Sequence, residues 1–429
     1  MPIEQQELMA IKRRKLMPIK KQELQFIKEL YGTKARLLWS GYLRRDPVAR
    51  LQLEPGRLDP YPLYEQIRSR GRVSRTPFGH FVTVDHEICN EVLRSRDFGV
   101  GEDARDKSLS LLDLNPPDHT RLRRLVAPDF SVRTIGRYTP RIEAVLQNLI
   151  KDVPRDDPFD LVSVVAAPLP IAVIADLLGI PDADADEFAR HGTEFGSALG
   201  GIQSLAHAQR LAATRKRLAE IFAGIFELRR KEPTDDVVSR IVNSDGTVRP
   251  EEMVPLCTLL LIAGFETTVN LIGNTVLALL SNPDQWRMLV EQPELAERAI
   301  EEGLRYDSPV QRTGRLATAD TEVAGVPFKQ GDWIMTAIGG ANRDPAVFTD
   351  PARYDLHRDN AEDHLSFSGG VHYCLGAALA RLEAGIALRT IVTEFPELAL
   401  AGPRERRPGS LIRGMQHFPV RAPRSAVMV

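Results

Sequence analysis

Three features of this sequence predict a mainly α fold with a smaller β-rich part. Residues 134–242 carry helical periodicity almost continuously. Glu251 to Leu280 is a largely apolar 30-residue segment that would span about 45 Å as a helix. Beyond Ser308-Pro309 the pattern turns to short strands. The chain has 429 residues, 43% of them hydrophobic, so it can bury a large core, and length alone suggests two or three domains. A formal net charge of −2 gives no global reason to expect nucleic acid as a partner. The three cysteines, Cys89, Cys257 and Cys374, are too widely spaced for a disulfide framework or a zinc cluster. An odd, low count fits a reducing cytoplasm.

The first element is basic. Residues 1–36 hold nine Lys/Arg against four Glu. Met1 to Lys12 is echoed by Met17 to Lys28, a period of 16, and two copies do not make a solenoid. Charge breaks the segment throughout, so no signal-peptide core is expected. Ile19, Leu24, Ile27 and Leu30 have the spacing of an amphipathic helix. Such a cationic segment can lie on a membrane surface or an acidic partner. It can equally be a poorly ordered tail, or an extension ahead of a start at Met17.

From Asp59 the register changes. Pro60 to Ile67 opens a helix with proline in its first turn. Val73 to Val84 alternates around Pro77-Phe78-Gly79 and predicts a hairpin. His86 to Arg94 predicts a short helix, and Phe98 to Asp113, lacking periodicity, a loop. Asn115 or Asp118 can cap the next helix, on which His119 and Arg123, four apart, share a face. Two cations there are either a solvated face or an anion site. The long helical region is expected to break at Pro154, Pro158, Pro170 and Pro181. Gly192 to Gly201 is small and flexible, suited to a lid over a pocket or to a surface loop.

The segment Glu251–Leu280 could be taken for a membrane span. Pro255, Glu266, Asn270 and Asn274 interrupt it, and a helix buried all round in a large core is the better reading. Glu266 is its only charge after Glu252, and a lone buried carboxylate is costly enough to need a reason. Ala263 and Gly264 open space beside it, and Thr267 offers a hydroxyl, unless that hydroxyl simply bonds back to the helix. Glu302 and Arg305 then sit three apart on a helix face, an ordinary surface ion pair when read alone.

Gly369, Gly370 and Cys374 form a glycine-rich loop leading into the helix-forming run Ala377 to Glu383. Backbone N–H groups and a following helix N-terminus both favour a thiolate at Cys374, as a metal ligand or a nucleophile. The string Phe367-Ser368-Gly369-Gly370-Val371-His372-Tyr373-Cys374-Leu375-Gly376 matches Phe-x-x-Gly-x-His-x-Cys-x-Gly. That is the haem-binding loop of the cytochrome P450 family, which the chain resembles from about Asp59 onward. Ser368 stands where the family usually has glycine.

The resemblance implies a cytochrome P450 fold, mostly helical with a smaller β-rich part. It makes residues 37–429 one large domain behind the basic extension 1–36, against the length-based expectation. It implies haem b (iron protoporphyrin IX) with Cys374 as the metal ligand and Phe367, His372 and Gly376 in its loop. His119 and Arg123 match the helix that serves one haem propionate, and Arg315 matches the strand residue that serves the other. Ala263 to Thr267 matches the string crossing the distal face of the haem, with Ala263 and Gly264 against the cofactor and Glu266 and Thr267 as a proton relay. Glu302 and Arg305 match the family's Glu-x-x-Arg, with Arg353 as the downstream partner. Leu259, Val310, Leu411 and Ile412 are expected in the substrate pocket.

The implied reaction inserts one oxygen atom from O2 into a small hydrophobic substrate. Electrons are expected from a separate ferredoxin and its NAD(P)H-dependent reductase, met by Arg121, Arg124 and Arg381. The expected location is cytoplasmic, with neither a transmembrane segment nor a nucleic-acid partner. Two alternatives remain. A haem sensor or carrier would have no use for Glu266-Thr267, and a cysteine-nucleophile hydrolase would have none for the propionate cations.

Overall fold

The computed structural model describes residues 21–101, 110–181, 185–197, 202 and 204–423. Its principal helices are α1 (Lys21–Leu38), α2 (Tyr61–Arg68), α3 (His86–Arg94), α4 (Asp118–Val126), α5 (Thr139–Lys151), α6 (Pro168–Leu178), α7 (Ala185–Gly196), α8 (Leu205–Lys231), α9 (Pro250–Leu280), α10 (Ala296–Tyr306) and α11 (Ala377–Glu394). Strands β1 (Ser74–Arg75), β2 (Phe81–Thr83), β3 (Phe98–Gly99), β5 (Thr313–Ala317) and β8 (Trp333–Thr336) make a sheet in the order β1-β2-β8-β5-β3. Of these pairings only β2 with β8 is parallel. Further small sheets hold β4 (Pro158–Asp160), β6 (Thr321–Val323), β7 (Val326–Phe328), β9 (Ala399–Leu400), β10 (Glu405–Arg406), β11 (Met415–His417) and β12 (Pro419–Arg421). A mainly helical fold with a smaller β-rich part is what the periodicities predict.

α9 is the axis of the core. Proline occupies its first position, where the missing N–H costs nothing. Glu252 reaches back to accept from the Arg249 backbone N–H at 2.9 Å. The helix ends at Ser281-Asn282-Pro283. It is long and apolar enough to cross a membrane but lies buried within the protein, packed by α6, α7, α8, α10 and α11. These helices share one continuous apolar cluster.

Several local expectations give way to tertiary pairing. Phe98 and Gly99, expected in a loop, pair with Leu316 and Ala317 on β5. Phe98 is drawn there because its ring packs edge-on to Phe328. The middle of that expected loop, 102–109, lies outside the described residues. Pro158 to Asp160, expected only as a helix break, pairs with Pro419 to Arg421 near the other end of the chain. Pro170 breaks nothing, because it sits in the first turn of α6. Asn115 does not cap α4; its side chain spans to the Val100 N–H and C=O at 2.9 and 3.0 Å. Gly192 and Gly196, at the start of the expected flexible break, belong to helix α7, and its remainder, 198–201, lies outside the described residues.

Glu302 and Arg305 are not a surface pair. Both are fully buried. Arg305 donates Nε and Nη2 to Glu302 at 2.7 and 2.8 Å. Its remaining donors go to the backbone oxygens of Asn342, Pro351 and Arg353. All five guanidinium N–H groups are thereby used. The second cation on Glu302 is Arg358 at 3.2 Å, not Arg353, which contributes only its carbonyl. The arrangement ties α10 to the segment leading to the Cys374 loop. Glu302→Ala would leave Arg305 charged and buried without an anion. A loss of about 3–5 kcal/mol in unfolding free energy is expected in urea titrations, several times the effect of removing an exposed pair such as Lys329–Asp320.

Candidate active site

The Cys374 loop is built by backbone geometry. The Cys374 N–H donates to the Phe367 carbonyl at 2.8 Å and closes the loop. Gly370 has φ +61°, and so does Ser368. A left-handed serine is strained by roughly 1–3 kcal/mol. Its hydroxyl offsets part of that by accepting from Arg315 Nη2 at 3.3 Å. Gly376 then caps α11. Of the three cysteines only Cys374 is exposed, yet protein surrounds it closely, as for a side chain lining an interior opening. Burial raises its thiol pKa above the ordinary value, against the pull of the Gly376 N–H and the Arg123 and Arg381 charges. In the protein alone, desolvation thus outweighs the loop and charge contributions that favour a thiolate.

Four nitrogen-bearing side chains gather around this loop. The His119 and His372 rings lie 4.5 Å apart. His119 Nδ1 and His372 Nε2 are buried without a hydrogen-bond partner. Arg123 donates to the Tyr373 carbonyl at 2.6 Å. Arg315 is 4% exposed and reaches only Gly314 O, Thr313 Oγ1 and Ser368 Oγ. Among the described residues neither arginine has a carboxylate partner. Burial, aided by Arg123, pushes His119 down to about 4. Burial, then Arg315, His119 and Arg123, pushes His372 down to about 3. Burial alone holds Arg315 at about 10. One buried and one half-buried arginine and two imidazoles with unpartnered ring nitrogens, without an acid, are complementary to anions. A haem group's two carboxylates would fit this donor set, with the Cys374 sulfur beside it.

α9 supplies the other side. From Leu256 to Val276 every residue is buried except Ala263, Gly264 and Thr267. Ala263 and Thr267 are one turn apart on one face, so the helix borders open space there. Thr267 Oγ1 donates to the Ala263 carbonyl at 3.0 Å, the local back-bond that its position allows. Glu266 is 3% exposed and points elsewhere. Its Oε1 accepts from Arg407 Nη1 at 3.3 Å, while Oε2 is buried without a partner. Arg407 also donates to Asn270 Oδ1 at 3.1 Å. A Cβ built on Gly196 would fall 1.8 Å from Glu266 Oε2. α7 therefore lies directly on the carboxylate because it presents glycine. Burial raises the Glu266 pKa, with Arg407 opposing.

The remaining candidates are partly assembled. Val310 and Ile412 form an antiparallel bridge, and Gln311 N–H donates to the Leu411 carbonyl at 2.9 Å, so the three apolar residues share one corner. Leu259 lies one turn before Ala263 on α9. Phe367 is buried under the Arg381 guanidinium, 4.5 Å from the ring centre. A cavity of about 670 Å³ opens further along α9, lined by Tyr61, Asn274, Tyr306, Arg343 and Arg413, and contains none of the candidate residues. The basic trio expected to meet a ferredoxin is reduced. Arg121 is committed to Asp118 and Glu252, and Arg381 to Glu301, leaving Arg124. Sequence reasoning missed Arg407, Gly196 and the Ser368 hydroxyl. The only available signal was that a buried Glu266 must have a cation somewhere.

Comparison with known proteins bears on this site. The family model described as Cytochrome P450 matches residues 204–404. The putative cytochrome P450 140 of Mycobacterium tuberculosis is 37% identical over 409 residues, covering 89% of this chain and 93% of that protein. The vitamin D(3) 25-hydroxylase of Pseudonocardia autotrophica is 41% identical over 322 residues, covering 73% of this chain and 78% of the hydroxylase. The ligand-free structure of Mycobacterium smegmatis CYP164A2 superimposes with a TM-score of 0.82 at 34% identity, over 87% of this chain and 99% of that one.

The seating of α7 on Glu266 is testable by a double-mutant cycle. Gly196→Ala alone is expected to cost about 1–3 kcal/mol, because the added methyl overlaps the carboxylate. In a Glu266→Ala background the same change should be neutral or stabilising, since only the gain in helix propensity remains. Urea unfolding of the four proteins should give a coupling of at least about 1 kcal/mol.

Proposed function

Because this chain belongs to the cytochrome P450 family and is a P450 monooxygenase, we propose that it binds haem b through Cys374 and oxidises a small hydrophobic substrate. The observation that carries the site assignment is the cluster of Arg123, Arg315, His119 and His372, without an acid among the described residues, around an accessible cysteine. Arg123 and Arg315 would hold the propionates, with His119 and His372 donating from their neutral rings. Phe367 and Gly376 shape the loop, and the exposed Ala263 leaves room above the cofactor, while Gly264, expected to do the same, instead lets Ile174 of α6 pack against the helix. Residues 37–429 are read as the single haem-binding domain and 1–36 as an appended basic segment.

When bound, thiolate-ligated haem supplies the activation of dioxygen, one atom of which enters the substrate while the other leaves as water. The chain's part is to bind, exclude and deliver. Leu259, Val310, Leu411 and Ile412 offer an apolar surface, which favours a hydrophobic substrate. Thr267 borders the open face of α9. Its proton is spent on the Ala263 carbonyl, so its oxygen is free to accept from water. Glu266, with a pKa raised by burial, can hold a proton at higher pH than an ordinary carboxyl. To pass it to the open face it must leave Arg407 and turn toward Thr267, with water between them. Two electrons per turnover would come from a ferredoxin and its NAD(P)H-dependent reductase in the cytoplasm, with Arg124 the cation left free to meet an acidic partner.

The purified protein should be red, and its reduced carbonyl complex should show the strongly red-shifted Soret band of thiolate ligation. Cys374→Ser should lose that band while Cys89→Ser keeps it; a band that survives Cys374→Ser ends the assignment.

Proton delivery is read from coupling, with product and peroxide measured per NAD(P)H oxidised. Thr267→Ala should preserve NAD(P)H consumption but divert most of it away from product. Glu266→Gln should slow consumption itself by tenfold or more, of order 1.4 kcal/mol in barrier. Unchanged rate and coupling in both would make the pair structural.

A further inference from the structure

The N-terminal arm carries a feature that the proposed chemistry does not use. Tyr31, Leu38, Trp39, Tyr42 and Leu43 are all about half exposed or more, Leu43 reaching 74%. They are five of the twelve exposed large hydrophobic residues among those described, within thirteen positions. Tyr31 and Leu38 are two turns apart on one face of α1. The helix then passes into a π-helical turn, Trp39–Leu43. That turn is oriented by its small residues. Ser40 and Gly41 are buried, and Gly41 lies so close to Leu53 that a Cβ would come within 2.4 Å of it. Seating Ser40 and Gly41 inward leaves Trp39, Tyr42 and Leu43 outward.

Charge surrounds this stripe with one sign. From Tyr31 to Arg45 there is no acid, while Lys34, Arg36, Arg44 and Arg45 are present. Arg36, Arg44 and Arg45 are exposed and form no ion pair among the described residues. The Arg44 guanidinium lies 3.9 Å from the centre of the Trp39 ring. The first 45 residues hold eleven Lys/Arg against four Glu, so the rest of the chain is net negative.

We propose that this arm, Tyr31 to Arg45, is an interfacial docking surface for an anionic phospholipid bilayer. The apolar side chains are all about half exposed or more, an arrangement that a deformable bilayer can accommodate. Trp and Tyr have an apolar body and a polar edge suited to the headgroup level. The arginines can keep their stems in the apolar layer and their charges among phosphates. An anionic surface would attract this end and repel the net-negative body, so the contact is oriented. The inference rests on neither haem binding nor turnover.

The test is co-sedimentation of the full-length haem protein with vesicles of phosphatidylglycerol and phosphatidylcholine, or of phosphatidylcholine alone. Binding is expected to the anionic vesicles only, weakening as salt rises, with a blue shift of emission that Trp39→Phe removes. Arg44→Gln with Arg45→Gln should weaken partitioning about thirtyfold, from about 1 kcal/mol per cation near such a surface. Leu43→Glu should abolish it while haem content and circular dichroism stay unchanged. Equal binding to both vesicle types, or none, overturns the proposal. So does self-association that Leu43→Glu removes without any vesicle binding, since a second copy would then cover the stripe.

Discussion

A carboxylate placed in the middle of a buried apolar helix is unstable unless a cation and close packing are brought to it. Glu266 imposes that constraint on this protein. Arg407 arrives from the turn between β10 and β11, and α7 comes down on the carboxylate through Gly196. The result is a helix closed on nearly every side except at Ala263, Gly264 and Thr267. The same packing that hides the acid defines where the helix is open. The open face and the hidden acid thus fall on adjacent residues, Thr267 and Glu266.

The turn that carries Arg407 also carries Leu411 and Ile412, beside Val310. One short connection between β10 and β11 therefore carries both the cation on Glu266 and two of the apolar residues beside Val310.

On the opposite side the governing fact is charge without countercharge. Arg123 and Arg315 are held by carbonyls and hydroxyls, and the two imidazoles are kept neutral by burial and by each other's neighbours. Ser368 accepts left-handed strain where glycine would be free of it, and in return receives a bond from Arg315. Away from the site, the buried Glu302–Arg305–Arg358 cluster fixes the path of the chain toward the Cys374 loop.

The order of the helices, the axis α9, the strands after Pro309 and the Cys374 loop were legible in the sequence because each is a local pattern or a contiguous motif. Periodicity reports which face is apolar, and a ten-residue string carries its own geometry. The tertiary structure decided matters that depend on residues far apart. Glu266 and Arg407 are 141 positions apart, and nothing near Arg407 marks it. Arg358 takes the place expected of Arg353 because only folding sets which guanidinium reaches Glu302. Pro158 to Asp160 becomes a strand because Pro419 to Arg421 offers it an edge. Residue order alone put a low-pKa thiol at Cys374. The surrounding protein, which exists only once the chain has folded, raises that pKa instead.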